Sequence, residues 1–465
     1  MRSFSSYTCS VLLAPLLACA CDLINPANSQ DYSPSRVSVG ELAMSTWLPA
    51  GLPEFRLSAA DEANLAGLGL TQIEWLQRTG IGDNTAEELA MGFCNRAGLK
   101  MPVYYEPPGF SPYDKLHNWA TTPDVAADFN ETVRERVQGL KTQWAGSAGF
   151  GGYLIGHEDY SDRFYEALAH TVSVLQSEDP TRPAVTVGHM DHYPRVGRFL
   201  DAFFTEDGVE PNIFQHEHYV FRADTETGGR GLQARLDDLV AGYGRVARHL
   251  QNRRGRWHAI VQVQSETREG NGEQGLYYRK PTAGEISVQA GLALARGASG
   301  IVYFLYSSGV ERVQDADGNL LQLRTYEGIV DGAGVPTPTY AGVQRLNEQL
   351  AALSPVLAPL HFHGGYASSR GLPDDAVVVS ADSDLEIAFF GNQQTATHVL
   401  VVNRRPDEAR DIQMVVTVEG ARDAVSIEAL TINKGSLALN LPGGGMRLLE
   451  LIRASADSAT EAGSP

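Results

Sequence analysis

Between residues 41 and 353, short apolar runs alternate with longer segments whose apolar positions recur every third or fourth residue. The runs fit strands buried on both faces and the longer segments fit amphipathic helices, so their alternation predicts a parallel α/β architecture. Strands are expected at Glu41–Trp47, Thr71–Leu76 and Lys100–Tyr105, within Gly151–Tyr160, and at Ala184–Gly188, Asn212–Gln215, His258–Gln264 and Gly300–Tyr306. Capping pairs mark helix starts: Ser58 with Asp61, Thr85 with Glu88, and Thr282 with Glu285. Further helices are expected from Thr122-Pro123 and over Ser161–Ser177, Leu232–Leu250 and Thr339–Leu353. About eight strand–helix units over roughly 310 residues match a (β/α)8 TIM barrel. A doubly wound open sheet fits less well, because no Gly-rich nucleotide turn follows the first strand.

Beyond Leu357 the pattern shortens to strands separated by turns. Ala376–Val379, Leu385–Phe390, His398–Val402, Met414–Val418, Val425–Leu430, Ser436–Leu441 and Arg447–Ile452 predict a small all-β antiparallel sandwich. The expected order is an export signal over 1–21, a linker over 22–38, the barrel over 39–355, the sandwich over 356–453 and a disordered tail over 454–465.

Composition narrows the functional classes. Hydrophobic residues make up 43% and charged residues 20%, which is ordinary for a globular chain. A net charge of -19 argues against nucleic acid as a partner, since nothing offsets phosphate repulsion. At the N-terminus Arg2 precedes an apolar core, Val11–Ala18, too short to span a bilayer. Leu16-Leu17-Ala18-Cys19 resembles the lipobox of bacterial lipoproteins, with Cys21 as a weaker second register. That resemblance implies acylation at Cys19 and an exported protein held to the membrane by lipid alone, in the periplasm or at the cell surface. Cys94 is the one cysteine of the folded part, which excludes a disulfide framework, and its apolar helical surroundings read as core.

Active sites of parallel barrels lie where strands end. Those ends carry Trp47, Glu74, Glu106, His157, Glu158, His189, Asp191, His192, Glu217, Tyr219, Glu266 and Tyr306. Carboxylates, histidines and aromatics with no clustered Arg suit a neutral polyhydroxylated ligand. In Ile260–Glu266 the period of two puts Gln262, Gln264 and Glu266 on one face, expected to look inward, and Val261 and Val263 on the helix side. The same parity groups Leu154, Gly156 and Glu158, so carboxylates from strands four and seven face each other across the mouth. Trp47, Tyr105 and Trp119 are candidate sugar platforms, and Glu106 is a candidate binding residue.

At this point the chain resembles the clan-A retaining glycoside hydrolases, specifically a bacterial group of barrel proteins in their β-galactosidase-like part. The matching residues are Gly152-Tyr153 with His157-Glu158-Asp159, Pro281-Thr282-Ala283-Gly284-Glu285, and Gly297-Ala298-Ser299-Gly300-Ile301. The resemblance implies a carbohydrate substrate, Glu158 as acid and base, Glu266 as nucleophile, and Tyr219 as the nucleophile's hydrogen-bond partner. It implies no cofactor. The family has Asn where His157 stands, and Trp at the end of strand eight, where the nearest aromatic is Tyr306. Glu217 rivals Glu266 as nucleophile, because it shares a strand face with Gln215 and Tyr219. Two other classes compete. One is a carbohydrate-binding lipoprotein without catalysis. The other is a metal-dependent hydrolase built on His216-Glu217-His218 with His157, His189 and His192, although such barrels carry their His-x-His on the first strand.

Overall fold

A computed structural model describes residues 34–48, 57–74, 85–104, 123–157, 171–188, 197, 200, 203, 211–226, 229–315 and 318–453. The expected export signal, Cys19, Cys21, most of the expected linker and the residues from 454 lie outside these residues. Seven strands run parallel: β1 (Ala43–Thr46), β2 (Met101–Tyr104), β3 (Phe150–His157), β4 (Ala184–Gly188), β5 (Asn212–Glu217), β6 (Gly255–Gln262) and, after a hairpin of β7 (Ser265–Gly270) and β8 (Glu273–Tyr278), β9 (Gly300–Phe304). They form one sheet in the order β2-β3-β4-β5-β6-β9-β1.

The segment expected as the second strand closes the ring. Trp47 bridges to Glu74 and Gln72 bridges to Lys100, both in parallel sense. The Glu74 N–H donates to the Thr46 carbonyl and the Ile73 N–H to the Lys100 carbonyl, each at 2.9 Å. Residues 72–74 therefore sit between β1 and β2, and the barrel is complete.

Strand alternation separates two cores. Tyr153, Ala259, Val261 and Ile301 face outward into a large apolar cluster shared with the helices. Leu154, Val185, Val187, Ile260 and Val302 face inward and fill the barrel centre with Trp47 and Leu305. The outer layer includes α1 (Ala59–Gly67), α2 (Thr85–Ala97), α3 (Pro123–Gln143), α4 (Arg230–Leu250), α5 (Ala283–Leu294) and α6 (Pro338–Leu357). Reciprocal caps start α1 through Ser58 and Asp61, and α5 through Thr282 and Glu285. Arg279 clamps the same Glu285 carboxylate at 2.8 and 2.6 Å. The Pro-Thr-x-x-Glu motif is thus a helix start tied by an ion pair, a structural device.

The loops after β6 and β9 are hairpins. β10 (Gly309–Gln314) and β11 (Leu320–Glu327) join the first hairpin in an antiparallel sheet of order β10-β11-β7-β8. The C-terminal part contains β12 (His361–Ala367), β13 (Val378–Ala381), β14 (Leu385–Gly391), β15 (Ala396–Asn403), β16 (Arg410–Val416), β17 (Gly420–Asp423), β18 (Ala429–Leu430), β19 (Ile432–Asn433), β20 (Ser436–Leu441) and β21 (Met446–Ile452). They form sheets of order β12-β14-β15-β21-β17-β18 and β13-β16-β20-β19. The expected strand Val425–Leu430 is mostly a turn, because the Asp423 carboxylate takes the N–H groups of Val425 and Ser426 at 2.9 and 2.7 Å.

The larger sheet of the sandwich is buried on both sides. Ile387, Phe389, Val399, Val401 and Leu449 meet the smaller sheet. Ala388, Phe390, Leu400, Val402 and Leu448 join the barrel's helix cluster. Helix α5 is covered by strands on one side and the sandwich on the other, which explains its apolar, small-residue sequence. A Cβ at Gly291 would lie 2.7 Å from Val402, so only glycine permits this approach. Polar groups cross the junction as a network: Arg296 and Arg404 both pair with Glu386, which is 0% exposed, and Arg404 also pairs with Asp237 of α4.

Removing Glu386 leaves two nearly buried guanidinium groups without their shared partner. Glu386→Ala should lower the unfolding free energy by about 3–5 kcal/mol in a denaturant titration. A loss under about 1 kcal/mol would mean that the network does not hold the two parts together.

Candidate active site

Among the described residues the mouth is built from the C-terminal ends of β5, β6 and β9 and the segments that follow them. On β5, Phe214, His216 and His218 point outward against α4. The His216 ring meets Tyr243 edge-on at 5.7 Å, and His218 Nε2 lies 3.3 Å from Asp238. Gly242 makes room for both rings, since a Cβ there would sit 3.0 Å from His216 Nε2 and 3.3 Å from His218 Nδ1. His216 and His218, two of the histidines of the metal reading, are helix-packing groups. Among the described residues no group of three or more His, Cys, Asp or Glu side chains is arranged to hold an ion.

The other face of β5 carries Gln215 and Glu217, and continues to Tyr219. Glu217 is 8% exposed and Glu266 is 4% exposed. Glu266 does not extend the barrel strand: β6 ends at Gln262, and Glu266 stands in β7, paired across the sheet with Tyr326 and Tyr278. Arg268 Nε donates to Glu266 Oε1 at 2.6 Å, and its Nη1 donates to Glu273 at 3.1 Å. The same guanidinium lies 3.4 Å from the centre of the Tyr277 ring. In register beside it stands Arg324, 3.5 Å from Glu311, which also accepts the Tyr326 hydroxyl proton at 3.0 Å. Clustered arginines were not expected at strand ends, and cross-strand pairing is what brings these two together.

A chain of aromatic contacts links the segments that carry the two acids. Tyr219 stacks on Phe304 with centroids 5.5 Å apart and meets Tyr278 edge-on at 5.6 Å. Phe304 meets Tyr326 edge-on at 6.1 Å. Burial pushes the Tyr278 phenol pKa up, and the charges of Glu266 and Glu217 add to the rise, so both acids act on one hydroxyl. Burial also holds the Glu266 carboxyl above its ordinary range, with Arg268 pulling in the opposite direction.

Gln262, expected to face inward, works as a clamp. Its amide takes the Phe221 N–H at 2.9 Å and donates to the Phe221 and Arg279 carbonyls at 3.1 and 3.2 Å. Those two backbone points flank Tyr219 and Tyr278. One side chain thereby fixes both segments of the aromatic wall.

Several expectations resolve differently. Trp47 is 2% exposed and packs in the barrel centre, as floor instead of an open platform. Tyr306 is corrected to a structural role: it lies in the helix cluster and its hydroxyl donates to Asp61 Oδ1 at 3.0 Å. The alternation of β9 ends at Phe304, after which Leu305 turns to the centre, so Phe304 is the strand-eight aromatic of the mouth. The backbone of β3 runs to His157. Glu158, Tyr105, Glu106, Trp119, His189, Asp191 and His192 lie outside the described residues.

One acid lies below the mouth. Glu74 is 0% exposed, and Ser45 Oγ donates to its Oε1 at 3.0 Å, with the Gln72 amide as a second donor. Burial without a cation pushes its pKa from 4.5 up to about 7.

No protein-family model and no curated protein matches the chain. Solved structures do share its fold. A family-42 β-galactosidase from G. stearothermophilus, a catalytic mutant, aligns with a TM-score of 0.57 at 7% identity, over 91% of this chain and 100% of that one. A β-galactosidase from Bacillus circulans sp. alkalophilus gives 0.52 at 10% identity, over 89% and 99%. An α-amylase from Geobacillus thermoleovorans, complexed with acarbose, gives 0.52 at 9% identity, over 90% and 100%. At these identities the likeness is one of fold: a TIM-barrel-like domain followed by a β-sandwich.

Between pH 4.5 and about 7 the folded chain keeps a proton on Glu74 that an unfolded chain has released. Stability therefore falls as pH rises through this window and levels off above it. Glu74→Gln removes that charge, and should stabilise the protein by about 3 kcal/mol at pH 8 while changing little at pH 4. Equal effects at both pH values in urea titrations would show that Glu74 titrates normally.

Proposed function

We propose that the protein is an exported glycoside hydrolase that cleaves O-glycosidic bonds of oligo- or polysaccharides by double displacement. Glu266 is the nucleophile and Glu158 the acid and base. The observation that carries this reading is the convergence of Glu266 and Glu217, both nearly buried, on the rings of Tyr219, Tyr278, Phe304 and Tyr326 at the C-terminal end of the barrel. Ring faces stack on the apolar faces of sugars, and carboxylates accept hydrogen bonds from sugar hydroxyls. The fold neighbours, named as β-galactosidases and an α-amylase, support the same class. Glu158 directly follows β3, which ends at His157, at the end of a barrel strand where a catalytic acid is expected.

In this mechanism Glu266 attacks the anomeric carbon while the leaving oxygen takes the proton of Glu158. Glu158 then removes a proton from the water that releases the sugar. Retention requires carboxyl groups about 5–5.5 Å apart. Glu266 must be ionised to attack, and Arg268 is the group that opposes its burial. Glu217 and His157 are assigned to substrate binding. Cys19 holds the protein to the membrane in the same proposal. The tight Glu266–Arg268 ion pair favours one second reading, a lipoprotein that binds carbohydrate without cleaving it.

Glu158→Gln and Glu266→Gln should each reduce aryl-glycoside turnover by at least about a hundredfold without changing the melting profile. Full activity in both variants would remove these residues from the chemistry, and oligosaccharide binding without turnover in the wild type would favour the second reading. Arg268→Gln should shift the acid limb of the pH–rate profile to higher pH, because Glu266 loses the charge that lowers its pKa. An unmoved limb would assign that limb to another group.

A further inference from the structure

Among the described residues the barrel centre is largely apolar, and Glu74 and Gln215 are buried polar side chains within it. Glu74 Oε1 is occupied by Ser45 and Gln72, whereas Oε2 has no hydrogen-bond partner. Opposite stands Gln215 of β5, 0% exposed, whose amide nitrogen and oxygen are both without partners. The amide acts on Glu74 as a hydrogen-bonding group that lowers its pKa, although the approach falls short of a full hydrogen bond. No charged group acts on Glu74 from β1, from residues 72–74 or from β5; burial, Gln72, Ser45 and Gln215 account for its behaviour. The inward cluster around them is Trp47, Leu154, Val185, Val187, Ile260, Val302 and Leu305, with Tyr219 and Tyr326 packed against it as its titratable members among the described residues.

The chemistry of this pair is two-valued. With a proton on Oε2, Glu74 donates to Gln215 Oε1. Without it, Glu74 can only accept, and must take Gln215 Nε2–H instead. The two states require opposite faces of the same amide, a half-turn apart. Glu217 is the next inward residue after Gln215 on the same strand. An amide whose oxygen faces Glu74 offers its N–H to the layer above, and the flipped amide offers its oxygen there.

We propose that Glu74 is a positioning residue: its proton sets the orientation of the Gln215 amide, which presents either a donor or an acceptor to Glu217 at the mouth. Both forms are populated around neutrality, because burial pushes Glu74 up to about 7. A donor beneath Glu217 favours its ionised form, and an acceptor opposes it. The effect on turnover rests on the glycoside-cleaving reading of the site; the amide switch itself does not.

The test follows two NMR signals of the full chain from about pH 5 to 9, the Gln215 side-chain amide and the Glu217 carboxyl carbon. Loss of the amide signal in Gln215→Met assigns it. In the wild type both signals should move together with a midpoint near neutrality, and in Glu74→Gln neither should. The pH–rate profile on an aryl-glycoside should lose the matching inflection in Glu74→Gln and in Gln215→Met. A Gln215 signal that stays flat in the wild type overturns the proposal, as does one that moves while the Glu217 signal does not. A protein without glycoside turnover would sink the reading of the site and leave the two signals to decide this one.

Discussion

The structure depends on the alternation of side chains along parallel strands closed into a ring. Each inward residue must share a narrow centre with seven neighbouring strands, and each outward residue must meet a helix. Along β5 this sends Phe214, His216 and His218 to α4 and leaves Gln215, Glu217 and Tyr219 for the interior. The last inward positions have only the mouth to occupy, which is why acids and aromatic rings collect there. Glu74 and Gln215 are polar groups kept inside that constraint.

The second organising feature is the pair of hairpins that replaces two loops. Their register puts Glu266 beside Tyr326 and Tyr278, and Arg268 beside Arg324. A carboxylate near the barrel mouth is thereby held by a guanidinium from its own strand, with the guanidinium resting on Tyr277. This arrangement stabilises the ionised acid against burial without placing a mobile charge in the cavity. The sandwich contributes from a distance: it packs on α5, whose Gln289 exchanges two hydrogen bonds with the Gln262 backbone at the end of β6.

Much of this was legible in the residues. The strand Ala184–Gly188 and the caps at Ser58 and Thr282 depend on local signals, and they form as the local rules require. Strand parity correctly divided Val261 and Val263 from the inward face. The hairpin after β6 has a local signal that the strand and helix patterns do not include: Asn271-Gly272, both at positive φ, is a two-residue hairpin turn. Phe304 was overlooked for Tyr306 because the phase of a strand cannot be carried past its end. The clustering of Arg268 with Arg324 has no local signature at all, since it arises from pairing between distant segments.

The most direct measurement uses a fluorinated, slow-turnover glycoside that leaves the sugar on the nucleophile, followed by mass spectrometry of the digested protein. The account predicts a covalent sugar on the peptide carrying Glu266. A sugar on Glu217 instead, or a substrate that is cleaved with inversion and leaves no adduct, would contradict it.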